Sequence, residues 1–193
     1  MHKLTRKDLY SLETYHETRP TMRREVMAHK ARRQVSIGAH ASLYFEDRIT
    51  IQYQIQEMLR VERIFAAEAI QEELDAYNPL IPDGDNLKAT FMIEYAEVEQ
   101  RRVALGQLKG IEDRVWLEID GERVYAIADE DMERENEAKT SAVHFLRFQL
   151  SPAMHAACKR GAALAFGIDH ENYRAEVRTL PPETQAALVA DLD

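Results

Sequence analysis

Two segments of alternating character, RVWLEID and ERVYAIAD, meet at Asp120 and Gly121, and this junction limits the possible folds more than any other stretch. A two-residue turn that needs positive φ favours an Asp-Gly pair and joins neighbouring antiparallel strands. Antiparallel sheet is therefore predicted on both sides of residue 120. VSIG and ASLYFED alternate around Gly38 in the same way, and ATFMIEY, SAVHFLRFQL and ALAFGIDH read as further strands. In SAVHFLRFQL the alternation puts His144, Leu146, Phe148 and Leu150 on one face.

Elsewhere the apolar period lengthens. Asp47 has the side chain of an N-cap, and after it Ile51, Ile55, Met58, Leu59, Phe65, Ala66 and Ala69 recur at helical spacing as one stripe. ITIQYQI, inside this stretch, also alternates as a strand would; the longer window favours a helix, with a break near residues 66–68. EVEQRRVALGQL, the segment from Ser151 to Lys159, and a last short segment from Pro181 are predicted helices. Residues 5–33 are predicted as two short helices separated at Arg19 and Pro20, because proline disfavours helix in the residue before it. The acidic segment DEDMERENEAK is predicted as an exposed loop or a short helix. The sum is an α+β chain. Residues 1–33 form a basic helical arm, and residues 34–193 a single domain in which a largely antiparallel sheet of about six strands has helices packed on one side.

Charge follows the same division. Residues 1–33 hold nine Lys or Arg against four Asp or Glu, and the remainder holds 16 against 30, for a net charge of −9. A basic arm can follow phosphates. Met22, Val26 and Met27 nonetheless recur in it at helical spacing, and the acidity of the whole argues against nucleic acid as a general partner. No apolar run approaches the roughly 20 residues of a membrane helix, and MHKLTRKDLYSLETYHETRP lacks the apolar core of a secretory signal. A cytoplasmic protein is predicted. Cys158 is the only cysteine, so no intrachain disulfide can form and any metal would be held by His, Asp and Glu.

Glu62 falls at the centre of the apolar stripe. An ionised carboxylate buried there without a partner costs several kcal/mol, so an Arg, a metal or a proton is expected to meet it. His144 sits on an apolar strand face, where a hydrogen-bonded core histidine and a ligand are both open readings. GIDHENY brings Asp169 and His170 to the end of a strand, a common place for functional groups. Two imidazoles and a carboxylate suit iron, manganese or zinc. Glu62, His144 and His170 are therefore candidate metal ligands, with Asp169 orienting an imidazole. Arg32, Arg33, Arg48, Arg60 and Arg63 are candidate anion-binding residues. Glu13 with His16, and Glu25 with His29, have spacings that share a helical face. A di-iron bundle needs two Glu-x-x-His copies plus two further glutamates on separate helices, and only one copy is present, in a chain also rich in strands. No phosphate-binding loop, GxGxxG, GxSxG or HExxH is present.

The strings HKARRQVSIG, LYFEDR, QIQEMLRVERI, QEELDAYNPLIPDG, KATFMIEY, ENEAKTSAVHFLRFQL and GIDH run through nearly the whole chain. In these strings the chain resembles domain-of-unknown-function family 3501, a bacterial family. The resemblance transfers no catalytic residue. It implies a setting beside rubrerythrin-like di-iron proteins and iron–sulfur oxidoreductases, near peroxide or redox defence. Three readings follow: an accessory or binding protein that docks to such a partner or holds a metal or metallocofactor; an enzyme acting on a small anionic substrate, with Glu62 or His170 as general acid/base; and a structural subunit that docks a partner through its basic arm.

Overall fold

The computed structural model describes residues 2–128 and 139–193, so the acidic segment, apart from Lys139, lies outside the described residues. Helix α1 (Leu12–Ala31) leads into a hairpin of β1 (Gln34–Ser36) and β2 (Ala41–Phe45). Helices α2 (Arg48–Glu62) and α3 (Ala67–Tyr77) follow, then β3 (Asn86–Ile93) and α4 (Val98–Gln107). The chain continues through β4 (Val115–Ile119), β5 (Glu122–Tyr125), β6 (Ile127–Ala128), β7 (Val143–Gln149), α5 (Pro152–Lys159), β8 (Leu164–His170), β9 (Tyr173–Val177) and α6 (Pro182–Val189). Among the described residues no helix is long and apolar enough to cross a membrane.

The class is α+β, as the two periods predicted, but the strands divide between two sheets. One has the order β1-β2-β3-β7-β6 and the other β5-β4-β8-β9, with every pair antiparallel. Alternation marks the inward face of a strand but not the sheet it joins, which is why the sequence suggested a single sheet. The Asp120-Gly121 turn forms as expected, with φ of 52° and 81°, and pairs β4 with β5. Ala126 alone separates β5 from β6, and its N–H donates to the Val115 carbonyl at 2.8 Å, so one extended run passes from the second sheet to the first.

The inward faces of both sheets share one core. Phe45 and Phe148 of the first sheet meet Phe166 of the second at ring-centroid distances of 5.2 and 5.7 Å. Helices α5 and α6 add Met154, Ala157, Cys158 and Leu188 to that core. A second apolar cluster, Leu4, Ile51, Ile55, Leu59, Leu74 and Ile81, lies within the helical layer built from α2 and α3. Asp47 starts α2 as an N-cap in a reciprocal arrangement: its carboxylate accepts from the Thr50 N–H, and Thr50 Oγ1 accepts from the Asp47 N–H, both at 2.9 Å.

Helix α1 is continuous through Pro20, contrary to the expected break. Both of its halves are pinned to α2. Tyr15 and Arg19 bond Glu57 on one side of the proline, and His29 bonds Asp47 on the other. These contacts make α1 and α2 antiparallel, and they outweigh the one helical hydrogen bond that Pro20 cannot donate.

Candidate functional site

Strand alternation puts Trp116 and Glu118 of β4 on the outer face of the second sheet, opposite the core residues Val115, Leu117 and Ile119. Trp116 pairs with Gly167 of β8, and its indole lies over that glycine so closely that a Cβ there would meet Trp116 Cζ2 at 2.1 Å. The Arg123 guanidinium covers the ring at 3.8 Å, and Arg178 approaches it at 5.2 Å. Glu118 holds both arginines, at 2.8 and 2.5 Å. Their hydrogen bonds keep the Glu118 carboxyl below its ordinary pKa. Trp116 is therefore buried beneath a polar lid.

Further along the same face, Asp169 and Arg174 are cross-strand neighbours of β8 and β9. Asp169 Oδ2 accepts from the Tyr125 hydroxyl at 2.5 Å, which raises the tyrosine's pKa. Its other oxygen, Oδ1, is buried and has no hydrogen-bond partner among the described residues. Two depressions share Asp169 and Arg174. One of about 520 Å³ extends to Lys109, Arg114 and His170, and one of about 300 Å³ to Trp116 and Arg123. Together they form a continuous trough. Arg114 and Arg174 are exposed and have no carboxylate partner among the described residues. The trough thus offers two uncommitted guanidinium forks beside an unsatisfied carboxylate oxygen.

His170 closes one end of the trough and is fully engaged. Its Nε2–H donates to the Lys109 carbonyl at 2.9 Å, and Nδ1 accepts from the Asn172 N–H at 3.2 Å. His144 is buried on the expected face of β7, with Nε2 facing the Ser141 carbonyl at 3.1 Å and Thr140 Oγ1 at 3.0 Å, and Glu112 at 3.7 Å. Glu62 is exposed, which corrects its expected burial. The helix stops there because Arg63 takes a left-handed conformation (φ 55°), so the stripe keeps its phase through Leu59 and then loses its cover. The break turns the chain so that Glu62 lies near Glu73 of α3, whose carboxyl is raised by burial and then by the charges of Glu62 and Glu72. Among the described residues no three His, Cys, Asp or Glu side chains are grouped so as to hold a metal, and Glu62, His144 and His170 make no such group.

The five candidate arginines are also spread out. Arg33 is buried against Asp191 and lies 3.4 Å from Asp47; Arg48 pairs with Asp8, and Arg60 with Glu57 at 3.3 Å. Arg32 lines a groove beside α1, and Arg63 ends α2. Glu57 is held down to about 2, first by its hydrogen bond from Arg19, so that pair is a clamp between α1 and α2. The sequence by itself does not mark Arg114, Arg174 or the Trp116 lid. The outward alternation of Trp116 and Glu118 in RVWLEID, with Arg123 opposite Glu118 across the Asp-Gly turn, is the available signal.

These features define an α+β protein with a two-sheet core, a helical layer beside it and a polar trough on an outer sheet face. The chain belongs to the family described as protein of unknown function (DUF3501), whose model matches residues 3–192. It is similar over 100% of both chains, at 55% identity and a TM-score of 0.93, to a crystal structure of a novel protein of unknown function from Burkholderia pseudomallei K96243. No curated protein matches it.

Proposed function

We propose that the chain is an accessory binding protein that takes a small anionic ligand, bearing a hydroxyl or ammonium group, into the trough. The observation that carries this reading is the juxtaposition of Asp169 Oδ1, buried and unpaired, with Arg114 and Arg174. Guanidinium forks bind carboxylate or phosphate through charge-assisted, often bidentate, hydrogen bonds. The ligand's hydroxyl or ammonium would supply the donor that Asp169 Oδ1 lacks, relieving a desolvated acceptor. Binding is favoured over proton transfer because both ring nitrogens of His170 are already committed. The family resemblance supplies the setting, in which a rubrerythrin-like protein or an iron–sulfur oxidoreductase is the partner.

Calorimetric titration with glycerol phosphate and with citrate tests the site. Wild type should bind at least one probe saturably. Arg174→Ala or Arg114→Ala should weaken that binding about tenfold or more, the loss expected for one charged hydrogen-bonding group. Arg102→Ala, which alters only an exposed pair on α4, should leave it unchanged. Binding indifferent to both trough arginines, or none with either probe, would reject the reading. Elemental analysis of the purified protein is the companion measurement. Near-stoichiometric iron, manganese or zinc that disappears in His170→Ala and His144→Ala would replace it with the metal-holding one.

A further inference from the structure

The outer face of the second sheet carries an aromatic platform beside the trough. Three ring atoms of Trp116 would lie within 2.8 Å of a Cβ at Gly167, so the indole rests flat across that glycine and turns its other face outward. The Arg123 guanidinium covers that face at 3.8 Å, with Arg178 further off at 5.2 Å. Arg123 is loosely held. Its ion pair with Glu118 is partly exposed, and such pairs contribute little. Arg123 bonds Glu118 Oε2 and Arg178 bonds Oε1, so Arg123 can leave without stripping Glu118 of its counter-charge. The trough arm of about 300 Å³ reaches the edge of this stack, for Trp116 and Arg123 line it together with Asp169 and Arg174.

We propose, building on the anion-binding reading of the trough, that its ligand is a nucleoside monophosphate whose base takes the place of Arg123 on the Trp116 ring. Sheet register spaces the parts. Trp116 pairs with Gly167, and Asp169 stands two residues along β8 from that glycine, about 7 Å away at 3.3 Å per residue. Arg174 pairs with Asp169 on one side, and on the other Arg114 precedes Val115, the partner of Ile168. Arg114, Asp169 and Arg174 thus form a row one side-chain step from the indole. A ribose bridges such a gap: its hydroxyls donate to Asp169 Oδ1, its phosphate reaches the guanidinium forks, and its base lies toward Trp116. Base stacking on an aromatic ring is worth more than an exposed cation–π contact, so the exchange with Arg123 favours the ligand. Glu176 pairs with Gly167 in the indole's row, so this carboxylate stands at the base end and away from the phosphate. It is also paired with Arg178 at 2.7 Å.

Calorimetry with adenosine 5′-monophosphate, ribose 5-phosphate and glycerol phosphate is the test, joined to the fluorescence of Trp116, the sole tryptophan. Adenosine monophosphate should bind about tenfold more tightly than ribose 5-phosphate, and it alone should quench Trp116. Arg123→Ala should tighten nucleotide binding about twofold to fivefold, the worth of the exposed cation–π contact that no longer competes for the ring. Trp116→Leu should lower nucleotide affinity to that of ribose 5-phosphate and leave ribose 5-phosphate binding in place. Nucleotide binding no tighter than that of ribose 5-phosphate, with both still dependent on Arg174, would overturn the proposal and leave the anion site standing. Nucleotide binding that Arg123→Ala does not tighten, or that leaves Trp116 fluorescence unchanged, would overturn it equally. If none of the three phosphates binds, the proposal falls, and citrate binding then decides whether the anion site falls with it.

Discussion

Arg33→Met is expected to destabilise the protein by about 3–5 kcal/mol, the usual cost of removing one partner from a buried ion pair. The guanidinium binds three backbone carbonyls, Phe45 and Glu46 at the end of β2 and Ala187 in α6, as well as the carboxylate of Asp191. It also lies beside Asp47, which already accepts from His29 at 2.5 Å and caps α2. Met would fill much of the volume but leave Asp191 and the carbonyls unpaired. Arg33→Lys should lose less, since it keeps the charge without the fork. Urea denaturation of the two variants checks the order.

The pH dependence of this hub has a definite sign. Burial pushes the Asp191 carboxyl up to about 6, against the pull of Arg33. A carboxyl with a higher pKa folded than unfolded binds its proton more tightly in the native state. Its contribution is therefore fully present below the unfolded value of 3.8 and is lost as pH rises through about 6. The difference in unfolding free energy between wild type and Asp191→Asn should change across that window. Arg33→Met removes the group that holds the pKa down, so the loss should move to higher pH and deepen. A difference curve that is flat across the window, or an unmoved midpoint in Arg33→Met, would show that Asp191 does not titrate as its surroundings dictate.

Arg33 also illustrates how far the sequence could be read. With four other arginines it is a candidate anion-binding residue in the sequence, because guanidinium groups near a central helix suit an anion. The protein's own carboxylates meet three of the five: Asp191 with Asp47, Asp8, and Glu57. Arg60 and Glu57 are only three residues apart on one helix, but Arg33 reaches Asp191, 158 residues away, and Arg48 reaches Asp8, 40 residues away. Local spacing has no access to such long-range pairings. Asp47 as an N-cap, the Asp120-Gly121 turn and the buried face of β7 were legible because each depends on a few neighbouring residues. Glu62 shows the opposite case. Its helical phase is consistent with the stripe, but burial depends on where α3 turns away. Asp169 and His170 were placed at the right strand end, whereas Arg114 and Arg174 needed the β4–β8–β9 pairing to bring them to one trough.

Phe166→Ala should cost about 3–5 kcal/mol, the range for a fully buried aromatic truncated in a packed core. Phe166 is completely buried and is the ring through which the second sheet meets both Phe45 and Phe148 of the first. Its loss should also be felt beyond the sandwich. Glu46 joins the two layers: its carboxylate accepts from Thr90 of β3 at 2.7 Å and from Thr50 of α2 at 2.6 Å. Arg33 adds a second tie between them. If these links make the sandwich and the helical cluster one cooperative unit, fluorescence from the sole tryptophan, Trp116, and far-ultraviolet circular dichroism, dominated by the helices, should report the same urea midpoint. Both midpoints should fall together in Phe166→Ala. They should also fall together in Leu74→Ala, at a cost of about 2–5 kcal/mol in the separate helical cluster. A tryptophan transition that moves only in Phe166→Ala, with the helical signal left in place, would instead divide the chain into two units joined by a polar seam.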